Sequence, residues 1–216
     1  MKVLNLYAGI GGNRKLWDNV EVTAVEIEPK IAVIYQDIFP DDEVIITDAH
    51  QFLLENFEEY DFIWSSPPCP THSRLRRNMG VEGQTLKPVF PSMGLYEEII
   101  FLDSYYKGLW CVENVISYYV PLIKPQEVGR HYFWANFLIR DKHYGPSYTR
   151  KNSGYRELQK ILGFNLEKYS YPDKRGLLRN CVDPDLGALI LDCARGNTQL
   201  PLTEFSEVSI RENKTS

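Results

Sequence analysis

The sequence predicts an α/β fold: a doubly wound, mainly parallel sheet followed by a small irregular region. Short apolar or β-branched runs at 3–7, 21–25, 44–47, 62–64 and 110–112 alternate with helix-like stretches at 12–19, 29–38, 50–57 and 92–108. Strands separated by helices at this spacing make βαβ units, and right-handed crossovers gather the strand ends on one edge, where ligands bind. Length agrees, because 216 residues suit one domain whose core needs no disulfide or metal staple.

In chain order, the first run leads into Gly9, Gly11 and Gly12, the second ends at Glu26, and the third ends at Asp48 within "ITDAH". The fourth stops at "SSPPCPTHS", where prolines surround Cys69, and the fifth runs into Glu113 and Asn114. Residues 131–137 form a shorter aromatic strand. Residues 139–180 are polar, basic and turn-rich, with one helix at 155–162, and an amphipathic helix at 185–194 begins just after Pro184. This divides the chain into a core at 1–138, a small region at 139–178, a segment at 179–200 packing back on the core, and a tail at 201–216.

With 44% hydrophobic and 25% charged residues, the composition is that of a soluble globular protein. No apolar run reaches membrane-spanning length and no leader pattern opens the chain, so a cytoplasmic protein without a membrane partner is expected. Cys69, Cys111, Cys181 and Cys193 are widely spaced and form no C-x-x-C pair. They argue against a zinc ribbon and against a disulfide framework, so reduced thiols and no metal are expected. Cys111, alternating with Glu113, and Cys193, on the last helix, read as core.

The net charge of −5 hides a segregation. Residues 1–60 hold 4 Lys and Arg against 12 Asp and Glu, whereas residues 121–180 hold 12 against 5. Contact with a polyanion would therefore concentrate in the later stretch, helped by Arg74, Arg76 and Arg77; the plain alternative is a solvated basic face.

Three successive strand ends describe a nucleoside pocket. The glycines allow a tight turn and close ligand approach, with helix N-terminal amides available. Glu26 is placed to accept both hydrogen bonds of a ribose diol, and Asp48 to take an adenine amino proton. The alternative is that both acids only cap the helices that follow. No G-K-[ST] follows the glycines, and G-x-G-G departs from the dinucleotide pattern. An adenosine cofactor without a pyrophosphate fits better, which points to S-adenosylmethionine.

The motifs "LYAGIGG", "VEIEP", "TDAH", "SPPC", "CVENV" and "NCVDPDLGALI" fall in the order found in cytosine-5 DNA methyltransferases, and the chain resembles that family over residues 1–138 and 176–195. The resemblance implies the S-adenosylmethionine-dependent methyltransferase variant of the doubly wound sheet. It implies Cys69 as the nucleophile and Glu113 as the acid of the E-N-V motif. It implies cofactor contacts from Tyr7, Ala8, Gly9, Ile10, Gly12, Glu26, Ile27, Asp48 and Pro68, more loosely from Leu95, and from Asn180, Cys181 and Val182 folding back beside the glycine loop. Residues 71–80 resemble the mobile catalytic loop, so Ser73, Arg74, Arg76 and Arg77 are expected on the substrate. Asn114 is expected to orient backbone.

The chemistry asks for the same residue types. A thiolate adding to carbon 6 of cytosine makes carbon 5 nucleophilic, an acid at ring nitrogen 3 relieves the developing charge, and the base must leave the duplex first. The departures from the family are specific. Pro70 stands where Gln is usual, and the Q-x-R-x-R strand has no clean counterpart, leaving Arg130 as the candidate catalytic support, with His131 behind it. The target-recognition region shrinks to 139–178.

The expectation is methylation of double-stranded DNA, as in restriction–modification, with weak or short-sequence specificity, a homodimer, or a separate recognition subunit. RNA is the closest alternative, since one branch of the family modifies transfer RNA. Amino methylation is disfavoured, because Cys replaces the aromatic of its motif. A silent, cofactor-binding regulatory module is the non-enzymatic alternative.

Overall fold

The structure, a computed structural model, describes residues 1–74, 89–140 and 153–196. Among these, seven strands form one sheet: β1 (Lys2–Leu6), β2 (Glu21–Val25), β3 (Glu43–Ile45), β4 (Phe62–Ser65), β5 (Leu109–Val115), β6 (Gln126–Val128) and β7 (His131–Ala135). Their order is β3-β2-β1-β4-β5-β7-β6. The first five are parallel; β7 is antiparallel to both β5 and β6. The order reverses at β1, which has β2 on one side and β4 on the other, so a crevice opens above those strand ends.

Six α-helices among the described residues accompany the sheet: α1 (Pro29–Ile38), α2 (Ala49–Asn56), α3 (Gly94–Tyr105), α4 (Tyr155–Leu162), α5 (Lys174–Asn180) and α6 (Pro184–Arg195). Local chemistry sets their starts. Glu28, Asp48, Asp173 and Asp183 each accept a hydrogen bond from a backbone amide in the first turn of the helix they precede, and Pro follows Glu28 and Asp183 directly. Helix α4 stops at Gly163, whose φ of +67° suits glycine.

Alternation along the strands sends residues to two cores. Val3, Phe62, Trp64, Cys111 and Phe133 face Trp17 and the α6 residues Leu186, Ile190 and Ala194. Leu4, Leu6, Ile63, Trp110 and Val112 face α2 and α3 through Leu53, Leu95, Ile99 and Leu102. A third cluster joins Ile10 and Ile34 to Leu158, Leu162, Phe164 and Leu178. The described part of the region drawn at 139–178 thus shares its interior with α1 and contains α4 and the start of α5.

One expected helix is absent. Residues 12–19 run through turns, because their side chains are tied elsewhere. Arg14 forms a bidentate ion pair with the buried Asp42 at 2.8 Å and also donates to the Trp17 carbonyl. Trp17 Nε1 donates to the Gly187 carbonyl at 2.9 Å, and Asn13 pairs with Asn5 across the buried strand end. These long-range partners outweigh the helical propensity of the segment. Smaller differences are a longer β5 and two short elements, β6 and α5, in stretches too brief or polar for a periodic pattern to develop.

Candidate active site

The strand ends surround a cavity of about 420 Å³. Tyr7 begins its wall: it follows β1 with φ +56°, a left-handed conformation unusual for a bulky residue. Its hydroxyl donates a short hydrogen bond to Glu98 of α3. Gly9, also at φ +56°, donates its amide to Glu26 Oε2 at 2.9 Å, and Glu26 Oε1 accepts from the Glu28 amide at 2.9 Å. Glu26 is therefore fixed by backbone on the cavity wall, 8% exposed, with its remaining lone pairs available.

Gly12 explains how the chain closes on itself. A Cβ there would lie 2.5 Å from the Val182 carbonyl oxygen and 2.7 Å from Cys181 Cβ. Only glycine lets the segment between α5 and α6 press against the first loop. Similarly, a Cβ on Gly187 would lie 2.2 Å from the Asn13 carbonyl oxygen, so α6 rests directly on that loop.

Beyond β4, Ser66 to Pro70 line the cavity and carry Cys69. Asn114, buried in β5, donates to the Pro67 carbonyl at 3.0 Å. It orients the proline loop, as expected. Burial pushes the Cys69 thiol above its ordinary range, and the nearby Glu113 carboxylate pushes it further. Glu113 is 8% exposed and lies 3.7 Å from His131 Nε2, an ion pair whenever His131 is protonated. Arg130 shares a two-residue turn between β6 and β7 with Gly129, whose φ is +60°.

The cavity gathers Tyr7, Ala8, Gly9, Ile10, Gly12, Glu26, Pro68, Cys69, Glu113, Arg130, His131, Asn180, Cys181 and Val182. It does not include Ile27, which is 64% exposed, or Asp48, whose carboxylate caps α2 through the Gln51 amide at 2.9 Å. Leu95 lines a neighbouring cavity of about 390 Å³, which shares Tyr7, Pro67, Pro68 and Pro70 with the first. Ser73 bridges to Ser117, and Arg74 donates to the Ser117 carbonyl at 3.1 Å; neither lines the main cavity. Arg76 and Arg77 lie outside the described residues. Cys111 is fully buried and Cys193 packs against the core.

Two residues escaped the motif reading. Arg179, in the last turn of α5, lines the cavity. Glu98, 1% exposed, accepts from Tyr7, from Ser65 at 2.5 Å and meets His50 Nδ1 at 3.3 Å. Burial raises its carboxyl above the ordinary range, while these partners oppose the rise. A signal existed: Leu95, Glu98, Ile99 and Leu102 follow helical spacing, so one acid occupies the apolar stripe.

Sheet order and strand-end cavity define the class: a fold of the S-adenosylmethionine-dependent methyltransferase type. Residues 1–91 match the model of the family described as C-5 cytosine-specific DNA methylase. No curated protein matches. Similar solved structures include a mutant of DNMT2 from Spodoptera frugiperda, 27% identical over 53% of this chain and 35% of that chain, TM-score 0.37. Others are the methyltransferase EhMeth of Entamoeba histolytica (14%, 53% and 38%, 0.35) and TrmN of Thermus thermophilus (13%, 62% and 43%, 0.39). The matched region is thus about a third of the DNMT2 chain. Among the described residues, no helix is long and apolar enough to cross a membrane, and no group of three metal-binding side chains occurs.

Proposed function

We propose that this protein methylates carbon 5 of cytosine in DNA, using S-adenosylmethionine and a covalent bond to Cys69. The observation that carries this reading is one cavity lined by Cys69, Glu113, the glycine loop, Glu26 and the segment 180–182. The donor set fits the cofactor: a fixed carboxylate for a ribose diol, small residues against the ligand and Tyr7 as an aromatic wall. S-adenosylmethionine, when bound, supplies the electrophilic methyl group that carbon 5 accepts.

The residues of the chain do the rest. Cys69 gives its thiol proton to solvent water and its sulfur bonds to carbon 6, while the electrons of the 5,6 double bond move into the ring. Glu113, sharing a proton with ring nitrogen 3, meets the charge that develops there. With the methyl group on carbon 5, loss of the carbon 5 proton to a base restores the double bond and expels Cys69 as thiolate. Asn114 keeps the proline loop, and so the sulfur, in place through Pro67. Arg130 and His131 sit on the Glu113 side, where they support the base.

The test is transfer of labelled methyl groups to duplex DNA, followed by digestion and mass spectrometry of the product. 5-Methylcytosine is expected, with Cys69→Ser inactive. Undiminished transfer by that variant would remove the covalent mechanism. Transfer confined to transfer RNA would move the substrate to RNA, a methyl group on an exocyclic nitrogen would change the reaction, and cofactor binding without any turnover would indicate a regulatory module.

A further inference from the structure

The turns at residues 12–19 leave the glycine loop without a following helix, and so without the row of helix N-terminal amides that such a loop aims at an anion. This matters for the ligand of the reading above, on which the present inference rests. S-adenosylmethionine ends in an amino-acid group whose carboxylate is ionised at neutral pH, and something in the cavity has to meet it.

The wall near Gly12 offers mostly the wrong charge. Glu26 and Asp183 both line the cavity as acids. Arg130 belongs to the far side, on the turn before β7, and the order β1-β4-β5-β7 separates it from the first loop by three strand spacings, about 14 Å. Among the described residues that line the cavity, Arg179 is the cation on the near side. It lies two residues before Cys181, which touches Gly12. It is also uncommitted: Arg14 pairs with Asp42, Arg175 donates to the Ser153 carbonyl and Arg195 pairs with Asp18. Arg179 is exposed and has no hydrogen bond or ion pair among the described residues.

We propose that Arg179 binds the carboxylate of the cofactor's amino-acid end, replacing the helix amides that the turn does not provide. The planar guanidinium can hold both carboxylate oxygens at once in a charge-assisted pair.

The experiment compares two ligands by calorimetry on the full chain: S-adenosylmethionine, and 5′-methylthioadenosine, which keeps the nucleoside and lacks the carboxylate. Arg179→Gln is expected to weaken S-adenosylmethionine about tenfold and leave 5′-methylthioadenosine unchanged, with Arg179→Lys intermediate. An equal loss for both ligands would overturn the inference in favour of a structural role. Unchanged binding of both, with weaker duplex DNA binding and a shallower salt dependence, would overturn it in favour of a phosphate contact. Wild-type protein that binds neither ligand would overturn the cofactor reading, and this inference with it.

Discussion

Gly12→Ala tests how the cavity is closed. The added Cβ would meet the Val182 carbonyl oxygen at 2.5 Å, Cys181 Cβ at 2.7 Å and Cys181 Cα at 3.1 Å. Reaching ordinary contact at 3.4 Å requires the Val182 oxygen to retreat by about 0.9 Å, the difference between the two distances. The obstacle is backbone held at the start of α6, which cannot swing aside as a side-chain tip would. Overpacking of this kind costs about 1–3 kcal/mol, a fall of about 2–12 °C in Tm for a chain of this size. Gly94→Ala is the control. Its Cβ meets Ser92 Oγ at 3.4 Å in the first turn of α3, so Ala there costs nothing in space and gains up to about 1 kcal/mol of helix preference. Thermal unfolding followed by circular dichroism reads both. If Gly12→Ala melts with the wild type, or the two variants shift the same way, steric closure by residues 181–182 is wrong.

Two other consequences follow from the acids near the site. Because burial and Glu113 both raise the Cys69 thiol, alkylation of Cys69 by iodoacetamide should be slow at neutral pH and accelerate only above the ordinary thiol range; Glu113→Gln, by removing a negative neighbour, should shift that acceleration to lower pH. An unmoved profile by mass spectrometry would mean that the two groups do not interact. For Glu98, the folded carboxyl is raised above its unfolded value, so its favourable contribution is fully present below the unfolded value and is lost as pH rises through the folded one. The difference in stability between Glu98→Gln and wild type should therefore grow in the variant's favour from about pH 4 upward, and a flat difference in urea titrations would refute the assigned direction.

Most of the sheet was legible because five strands carry apolar or β-branched runs and end on chemically distinctive residues. Cys69, Glu113 and the glycines were legible as neighbours for a related reason: they lie just beyond β1 and β4 and near the end of β5, and parallel strands bring those ends to one edge of the sheet. The failure at residues 12–19 has a different origin. Arg14 finds Asp42, 28 residues on, and Trp17 finds Gly187, 170 residues on, and no local pattern encodes such partners. Asp48 reads as a strand-end acid from sequence, yet its carboxylate caps α2. Arg179 and Glu98 were hidden for opposite reasons. One sits in a basic stretch where any arginine looks like surface, the other in an apolar helix where an acid looks incidental.

The contact of Gly12 and Asn13 with residues 181–187 also has a consequence for synthesis and folding. The stretch matched by the family model ends at residue 91, but the cavity takes Glu113 and Arg130 from the middle of the chain and Asn180 to Val182 from near its end. A ribosome-bound chain that has finished the first four strands therefore has a glycine loop and Cys69 but no enclosed pocket. Closure waits for contacts of very long sequence separation, which form late and slowly. Enclosure of the cavity is then a report on completed folding, and a nascent chain carries Cys69 before the walls that complete its cavity are in place.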